Sequence, residues 1–167
     1  MGEIVLHKLG YKIGFNVTDS MPLGIYILSN KTEKISTGDI VAFCLRKETY
    51  KLFFSRGYFS TQHGSCVDGF PAFIKKVIAQ KGDLVEIKNN KVYVNSTEIN
   101  HSKIFDEDAK GRKLDHLPTG YSHTLQSNEL FVYGVGNERS LDSRYIGLIL
   151  KDKILYKAEM LYEVKHK

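Results

Sequence analysis

The stretch LVEIKNNKVYVN, residues 84–95, admits little besides a β-hairpin. Val85 and Ile87 alternate with polar residues, Asn89-Asn90 makes the turn, and Val92 and Val94 resume the alternation. Strand signals dominate the rest of the chain. GIYILS at 24–29, DIVAFCL at 39–45, FIKKVIA at 73–79, ELFVYGV at 129–135, YIGLIL at 145–150 and ILYKAEMLYEV at 154–164 all read as strands. One helix is expected between the two cysteines, where Tyr50, Phe53 and Phe54 share a face and Gly57 ends it. Residues 100–128 are polar and irregular, with Gly111, Pro118 and Gly120 as breakers. The expected fold class is mainly β, with one insertion of loop and short helix.

With 167 residues, 42% hydrophobic and 26% charged, the chain is long and apolar enough for one compact domain with a real core. Its net charge of +5 is spread in pairs such as Lys75-Lys76 among acidic residues, which argues against nucleic-acid binding. A basic face resting on anionic lipid fits at least as well. No stretch approaches the ~20 apolar residues of a membrane helix. The opening MGEIVLHKLGYKIGF carries Glu3, His7, Lys8 and Lys12 and lacks the apolar core of a signal peptide. Either the protein is soluble or an anchor lies upstream of this chain. Cys44 and Cys66 are either two buried thiols or a disulfide closing a loop of ~22 residues, worth roughly 3 kcal/mol and requiring an oxidising compartment. Their spacing fits no zinc pattern, and no metal or organic cofactor is implied.

Three segments carry the candidate chemistry: Thr18-Asp19-Ser20-Met21-Pro22, Phe73-Ile74-Lys75-Lys76-Val77-Ile78 followed by Lys81-Gly82-Asp83, and the run from Gly136 to Gly147. Each alone has a plain structural reading. Ser20 suits a turn, Lys75 an edge strand, and Asp142 with Arg144 a braced loop. Together they complete a mechanism. A serine hydroxyl is a weak nucleophile until a base accepts its proton. His7, His63, His101, His116, His123 and His166 all sit in polar or irregular segments, so none is marked as that base. A lysine serves if it is neutral, which near pH 8 requires depression by about 2 units, roughly 3 kcal/mol. Ile74, Val77 and Ile78 around Lys75 supply an apolar strand that favours the uncharged form. Lys76, pointing to the opposite face, is read as structural.

These three segments, in this order, resemble those of type I signal peptidases, the Ser–Lys serine proteases of peptidase family S26. The nearest likeness is to the TraF-like branch that serves conjugative transfer, over roughly residues 14–150. The resemblance implies that Ser20 is the nucleophile and Lys75 the general base. It implies an oxyanion hole from the Ser20 backbone N–H helped by the Thr18 hydroxyl, each such donor typically worth ~3 kcal/mol in the barrier. Ser140 would hydrogen-bond the Lys75 amine, and Asp142 and Arg144 would pair and hold that loop. The branch also places a short helix and Arg-Gly-Tyr (here Arg56-Gly57-Tyr58) between two cysteines, which favours the Cys44–Cys66 disulfide. Asp108 with Gly111-Arg112 matches its region ahead of the third segment. Pro22 directly after Met21 follows the branch rather than the general signal peptidase pattern, and the third segment enters as Gly-Val-Gly-Asn in place of Gly-Asp-Asn. The resemblance makes the sequons at Asn16, Asn30 and Asn95 chance matches.

The implied fold is the signal-peptidase/LexA-like β-fold: a catalytic core over 14–167, a smaller excursion over about 84–128, and residues 1–13 as the stub of an N-terminal anchor region. The implied activity is removal of leader peptides from exported precursors, with a conjugative pilin precursor as substrate and a membrane surface as partner, at the periplasmic face of the bacterial inner membrane. Two alternatives stand beside it. One is a non-catalytic β-module that binds pilus or secretion components. The other is a LexA-like autoprotease, against which stands the shortness of the 19 residues before Ser20.

Overall fold

The computed structural model describes residues 2–6, 11–59 and 64–164. In chain order its elements are β1 (Gly2–Leu6), β2 (Tyr11–Asn16), β3 (Gly24–Ser29), β4 (Ile40–Phe43), α1 (Lys47–Ser55), β5 (Phe73–Ala79), β6 (Leu84–Lys88), β7 (Lys91–Val94), β8 (Thr97–Glu98), β9 (Ser122–Thr124), β10 (Glu129–Tyr133), α2 (Ser143–Ile146), β11 (Ile149–Leu150) and β12 (Ile154–Glu163). The fold is mainly β, as the alternation of residue types requires. Among the described residues an eight-stranded sheet runs β1-β2-β3-β12-β4-β5-β10-β11, and a four-stranded sheet runs β8-β7-β6-β9. The 84–95 hairpin forms in the expected register, Val85 opposite Val94 and Ile87 opposite Val92. Both turn asparagines take positive φ (52° and 56°), the conformation that lets a two-residue turn follow the strand twist.

Three clusters build the core. One packs α1 and the Cys44–Cys66 region onto β4, β5 and β10 through Val41, Phe43, Tyr50, Phe70, Val77 and Val132. A second joins the small sheet to the large one through Ala79, Val85, Ile87, Val92, Leu125 and Phe131. A third, Met21, Tyr26, Leu28, Ile74 and Ala158, lies under the loop that carries Ser20. Burying such side chains contributes roughly 1.5–3 kcal/mol each.

The cysteines are joined, Cys44 to Cys66, and α1 lies between them. Tyr50 and Phe53 face the core, while Phe54 stays 38% exposed against Phe59 and Phe70. The helix ends at Gly57, φ 73°, with Tyr58 N–H reaching the Phe53 carbonyl and Gly57 N–H that of Phe54. This left-handed closure favours glycine because it has no Cβ. Burial pushes the Tyr50 hydroxyl up to about 12, and it donates to the Pro71 carbonyl at 2.8 Å.

One segment differs from the sequence-based expectation. The run YIGLIL is not one strand. Its first half belongs to α2, because the Asp142 side chain caps the turn and the Tyr145 and Ile146 N–H groups bond the Asp142 carbonyl. Only Ile149–Leu150 pairs as a strand. Within residues 1–13, Gly2–Leu6 forms β1 and Tyr11 opens β2, paired from Gly2↔Phe15 to Leu6↔Tyr11. No helix among the described residues is long and apolar enough to cross a membrane.

Candidate active site

Ser20 sits in the loop between β2 and β3, and Lys75 at the middle of β5, paired with Val41. Alternation along β5 turns Lys75 inward, 3% exposed, and leaves Lys76 half-buried on the other face. The Lys75 Nζ lies 2.8 Å from Ser20 Oγ, and Ser20 is itself 9% exposed. Burial lowers the Lys75 amine from 10.5 to about 8. Asp142 and Asp19 pull it back up, and Arg144 pushes it further down. A lysine in this range is partly neutral near pH 8, which a base for a hydroxyl proton needs.

Thr18 Oγ1 is 3.2 Å from Ser20 Oγ. Behind both lies Asn16, the last residue of β2, 5% exposed. Its amide holds the loop from within, and sequence reading registered it only as a sequon. The usable signal was a polar residue ending a strand just ahead of the serine.

The third segment closes over the first. Gly136 N–H donates to the Ser20 carbonyl at 3.1 Å, and Asn137 Nδ2 to Asp19 Oδ2 at 2.6 Å. Gly134 and Gly136 are required by this approach. A Cβ on Gly134 would stand 2.0 Å from Ser140 Oγ, and one on Gly136 2.1 Å from the Asp19 carbonyl oxygen. Ser140 is buried, and its Oγ has no hydrogen-bond partner among the described residues, so the expected bond to Lys75 is not formed. That hydroxyl instead lies against Gly134, in the space that a Cβ there would take.

Asp142 and Arg144 pair with no exposed side-chain surface. Arg144 Nε and one terminal nitrogen each meet a carboxylate oxygen at 2.8 Å. Asp142 Oδ2 also accepts from Gly134 N–H at 3.0 Å. The remaining Arg144 donors bond the carbonyls of Lys103, Glu138 and Ser140. Burial disfavours the guanidinium charge, but the bonds to Asp142 outweigh this and keep Arg144 above its ordinary value.

Ser20, Thr18 and Lys75 open onto a cavity of about 580 Å³. Its apolar wall includes Phe59, Phe73, Phe105 and Leu141. At another part of its rim Tyr58 donates to Asp108 at 2.6 Å, and Arg112 pairs with Asp108 at 2.7 Å and reaches the Arg56 carbonyl. Burial alone would raise the Asp108 carboxyl, but the bonds from Tyr58, Arg112 and Lys110 hold it well below the usual carboxylate range. The two stretches Arg56-Gly57-Tyr58 and Asp108 to Arg112 thus meet in space. No histidine among the described residues lines the cavity. His116 pairs with Asp106 and His123 with Glu129, while His7, His63 and His166 lie outside the described residues. No cluster of three or more His, Cys, Asp or Glu side chains able to hold a metal occurs among the described residues.

The chain belongs to the signal peptidase family, peptidase S26, whose model matches residues 4–163. Within it the chain is similar to the plasmid transfer protein TraF of Escherichia coli, 31% identical over 141 residues, covering 84% of this chain and 77% of that one. It is also similar to the conjugal transfer protein TraF of Agrobacterium fabrum, 30% identical over 144 residues, covering 84% and 75%. Among solved structures, a signal peptidase I from Enterococcus faecalis V583 superposes with a TM-score of 0.40 at 18% identity, over 75% of this chain and 97% of that one.

Proposed function

We propose that the protein is a serine endopeptidase that removes leader peptides from exported precursors through a Ser20–Lys75 dyad. The observation that carries this reading is the 2.8 Å contact between Ser20 Oγ and a buried Lys75 amine brought down to about 8. Neutral Lys75 takes the Ser20 proton as Oγ attacks the scissile carbonyl. The oxyanion is held by the Ser20 N–H and the Thr18 hydroxyl. Protonated Lys75 then gives its proton to the leaving amine. Neutral again, it activates the water that releases the acyl group. Ser140, Asp142 and Arg144 support the dyad from the third segment, through the loop that touches Ser20 by way of Gly136.

The substrate is an extended precursor with small residues ahead of the scissile bond, and the TraF relatives favour a conjugative pilin precursor. Val17, Leu161 and Tyr162 are 78%, 59% and 61% exposed, and Val17 and Tyr162 line one groove next to the nucleophile loop. That apolar edge on a chain of net charge +5 supports work at an anionic membrane surface, at the periplasmic face of the inner membrane. The Cys44–Cys66 disulfide fits that oxidising side.

The test is cleavage of a precursor peptide in detergent micelles across pH 6 to 10, comparing wild type with Ser20→Ala and Lys75→Ala. Both variants are expected to lose cleavage by at least ~1,000-fold. Robust turnover by Ser20→Ala would remove the nucleophile from the scheme. Stoichiometric capture of precursor without turnover would favour a binding module instead.

A further inference from the structure

Asn16 makes more side-chain contacts to the nucleophile loop than the dyad itself does. Its Nδ2 lies 2.9 Å from the Thr18 carbonyl, 3.0 Å from that of Met21 and 3.1 Å from that of Pro22. Its Oδ1 lies 3.2 Å from the Thr18 N–H and 2.9 Å from Thr18 Oγ1. The orientation is unambiguous. Three carbonyl oxygens surround one end of the amide, and an N–H and an O–H the other, so a flipped amide would set oxygen against oxygen. Five groups of the seven-residue loop 17–23 thus lie within hydrogen-bond distance of one buried side chain, whose two amide protons are shared among three carbonyls. Tyr26 reinforces it by donating to the Pro22 carbonyl at 2.7 Å.

The consequence falls on Thr18. Its hydroxyl is fixed on one side by Asn16 Oδ1 at 2.9 Å and stands 3.2 Å from Ser20 Oγ on the other. A hydroxyl rotor anchored this way keeps its oxygen in place while its proton has two available acceptors. An oxyanion forming at the carbon bonded to Ser20 Oγ is a stronger acceptor than a neutral amide oxygen, so the proton turns from Asn16 to the oxyanion without net transfer. The Asn16 amide also sets the path of the backbone that carries the Ser20 N–H, since it holds the carbonyls on both sides, Thr18 and Met21.

We propose that Asn16 is a positioning residue for the reaction, acting through Thr18 to set both donors of the oxyanion hole. This rests on the Ser20–Lys75 reading and adds to it a residue remote from the scissile bond. No other side chain described in the site can replace it, because no second acceptor engages the Thr18 hydroxyl except Ser20 itself.

The test is a double-mutant cycle on the same precursor peptide, with wild type, Asn16→Ala, Thr18→Val and the double variant, Ser20→Ala as the blank, and binding of a matched peptide aldehyde that forms a tetrahedral adduct. Asn16→Ala is expected to lower kcat ~100-fold with KM within about threefold. It should weaken the aldehyde by a similar factor while leaving the affinity of the uncleaved peptide nearly unchanged. The double variant should be no more than a few-fold worse than the worse single, because both changes remove one device. Asn16→Asp, isosteric and run in the same cycle, covers the case in which Asn16→Ala fails to fold. It keeps the acceptor for Thr18 but turns a carboxylate toward three carbonyls, so its deficit falls on the path of the Ser20 N–H and should persist in the Thr18→Val background. Losses of Asn16→Ala and Thr18→Val that multiply fully, an Asn16→Asp deficit that vanishes with Thr18→Val, or an Asn16 variant with kcat within threefold of wild type, overturn the proposal while Ser20-dependent turnover stands. Absence of Ser20-dependent turnover in wild type overturns the dyad reading, and this inference with it.

Discussion

Asp142 holds Arg144 through two bonds of 2.8 Å, and neither side chain reaches solvent. The pair sits between Gly134, whose N–H also bonds Asp142, and the carbonyls of Lys103, Glu138 and Ser140. It therefore ties the short helix α2 and the excursion to the loop that touches Ser20. A buried pair with satisfied donors is costly to break on one side only, since the survivor keeps its charge and loses its partner. Asp142→Ala is expected to lower stability by ~3–5 kcal/mol, measurable by urea unfolding. Replacing both residues by apolar ones of similar size should cost much less than that value. Equal losses for the single and double variants would count against the pair as the source.

Lys75 sets a pH dependence of two opposite kinds. The proposed role as general base needs the neutral amine, so kcat/KM is expected to rise from pH 6 and level off above a midpoint near 8. Stability follows the linkage sign. The folded amine titrates near 8 and the unfolded one near 10.5, so between these values the unfolded chain binds more protons and stability rises with pH. Below pH 8 the folded state carries the full penalty, ~3 kcal/mol at about 1.36 kcal/mol per pH unit. Lys75→Met is accordingly expected to be inactive and, at pH 7, more stable than wild type by ~1–3 kcal/mol in chemical unfolding. A variant less stable than wild type at pH 7 would contradict this.

Gly134→Ala tests the contact between the third segment and the nucleophile loop. Its methyl group would fall 2.0 Å from Ser140 Oγ and 3.0 Å from the Ser20 carbonyl oxygen. Both neighbours are held by buried backbone, so the loop must shift. The expected result is ~100-fold or greater loss of kcat, with a stability loss of ~1–3 kcal/mol. Val135→Ala, at an exposed neighbour, should leave both nearly unchanged.

The Cys44–Cys66 bridge closes a span of 22 residues that includes α1 and leads directly into β5. Replacing both cysteines by serine should lower stability by roughly 2–4 kcal/mol. Peptide KM should rise with it, because Phe59 and Pro71 in and after that span line the cavity. Thermal unfolding and steady-state kinetics of the pair variant check both.

The clasp at the cavity rim gives an acid-side prediction. Asp108 is held below the ordinary carboxylate range, so the bonds from Tyr58 and Arg112 persist to low pH and fail only when the folded carboxyl titrates. Asp108→Asn should shift the onset of acid unfolding upward relative to wild type, as followed by tyrosine fluorescence. An unchanged acid transition would show that the clasp carries no weight in the fold.

How much of this was legible beforehand follows from the range of each interaction. The alternation in 84–95, the β3 and β5 segments and the helix between the cysteines were readable because their causes lie within a few residues: a period of two, a pair of turn asparagines, a glycine at a helix end. The apolar neighbours of Lys75 on β5 left an edge lysine and a buried base both open, and the packed strand buries it. The family likeness named Ser20, Lys75 and the third segment as parts of one site. The strand reading of YIGLIL failed because a side-chain cap from Asp142, in turn fixed by Arg144, competes with β-propensity there. Residue types alone determined the mainly β class. Tertiary structure alone decided the 2.8 Å approach of Lys75 to Ser20, the Ser140 hydroxyl left without a partner among the described residues, the clasp of Tyr58 with Asp108, and the five contacts of Asn16. Those depend on where separate strands and loops come to rest, and a hydrogen bond made or missed turns on tenths of an ångström that no one-dimensional pattern encodes.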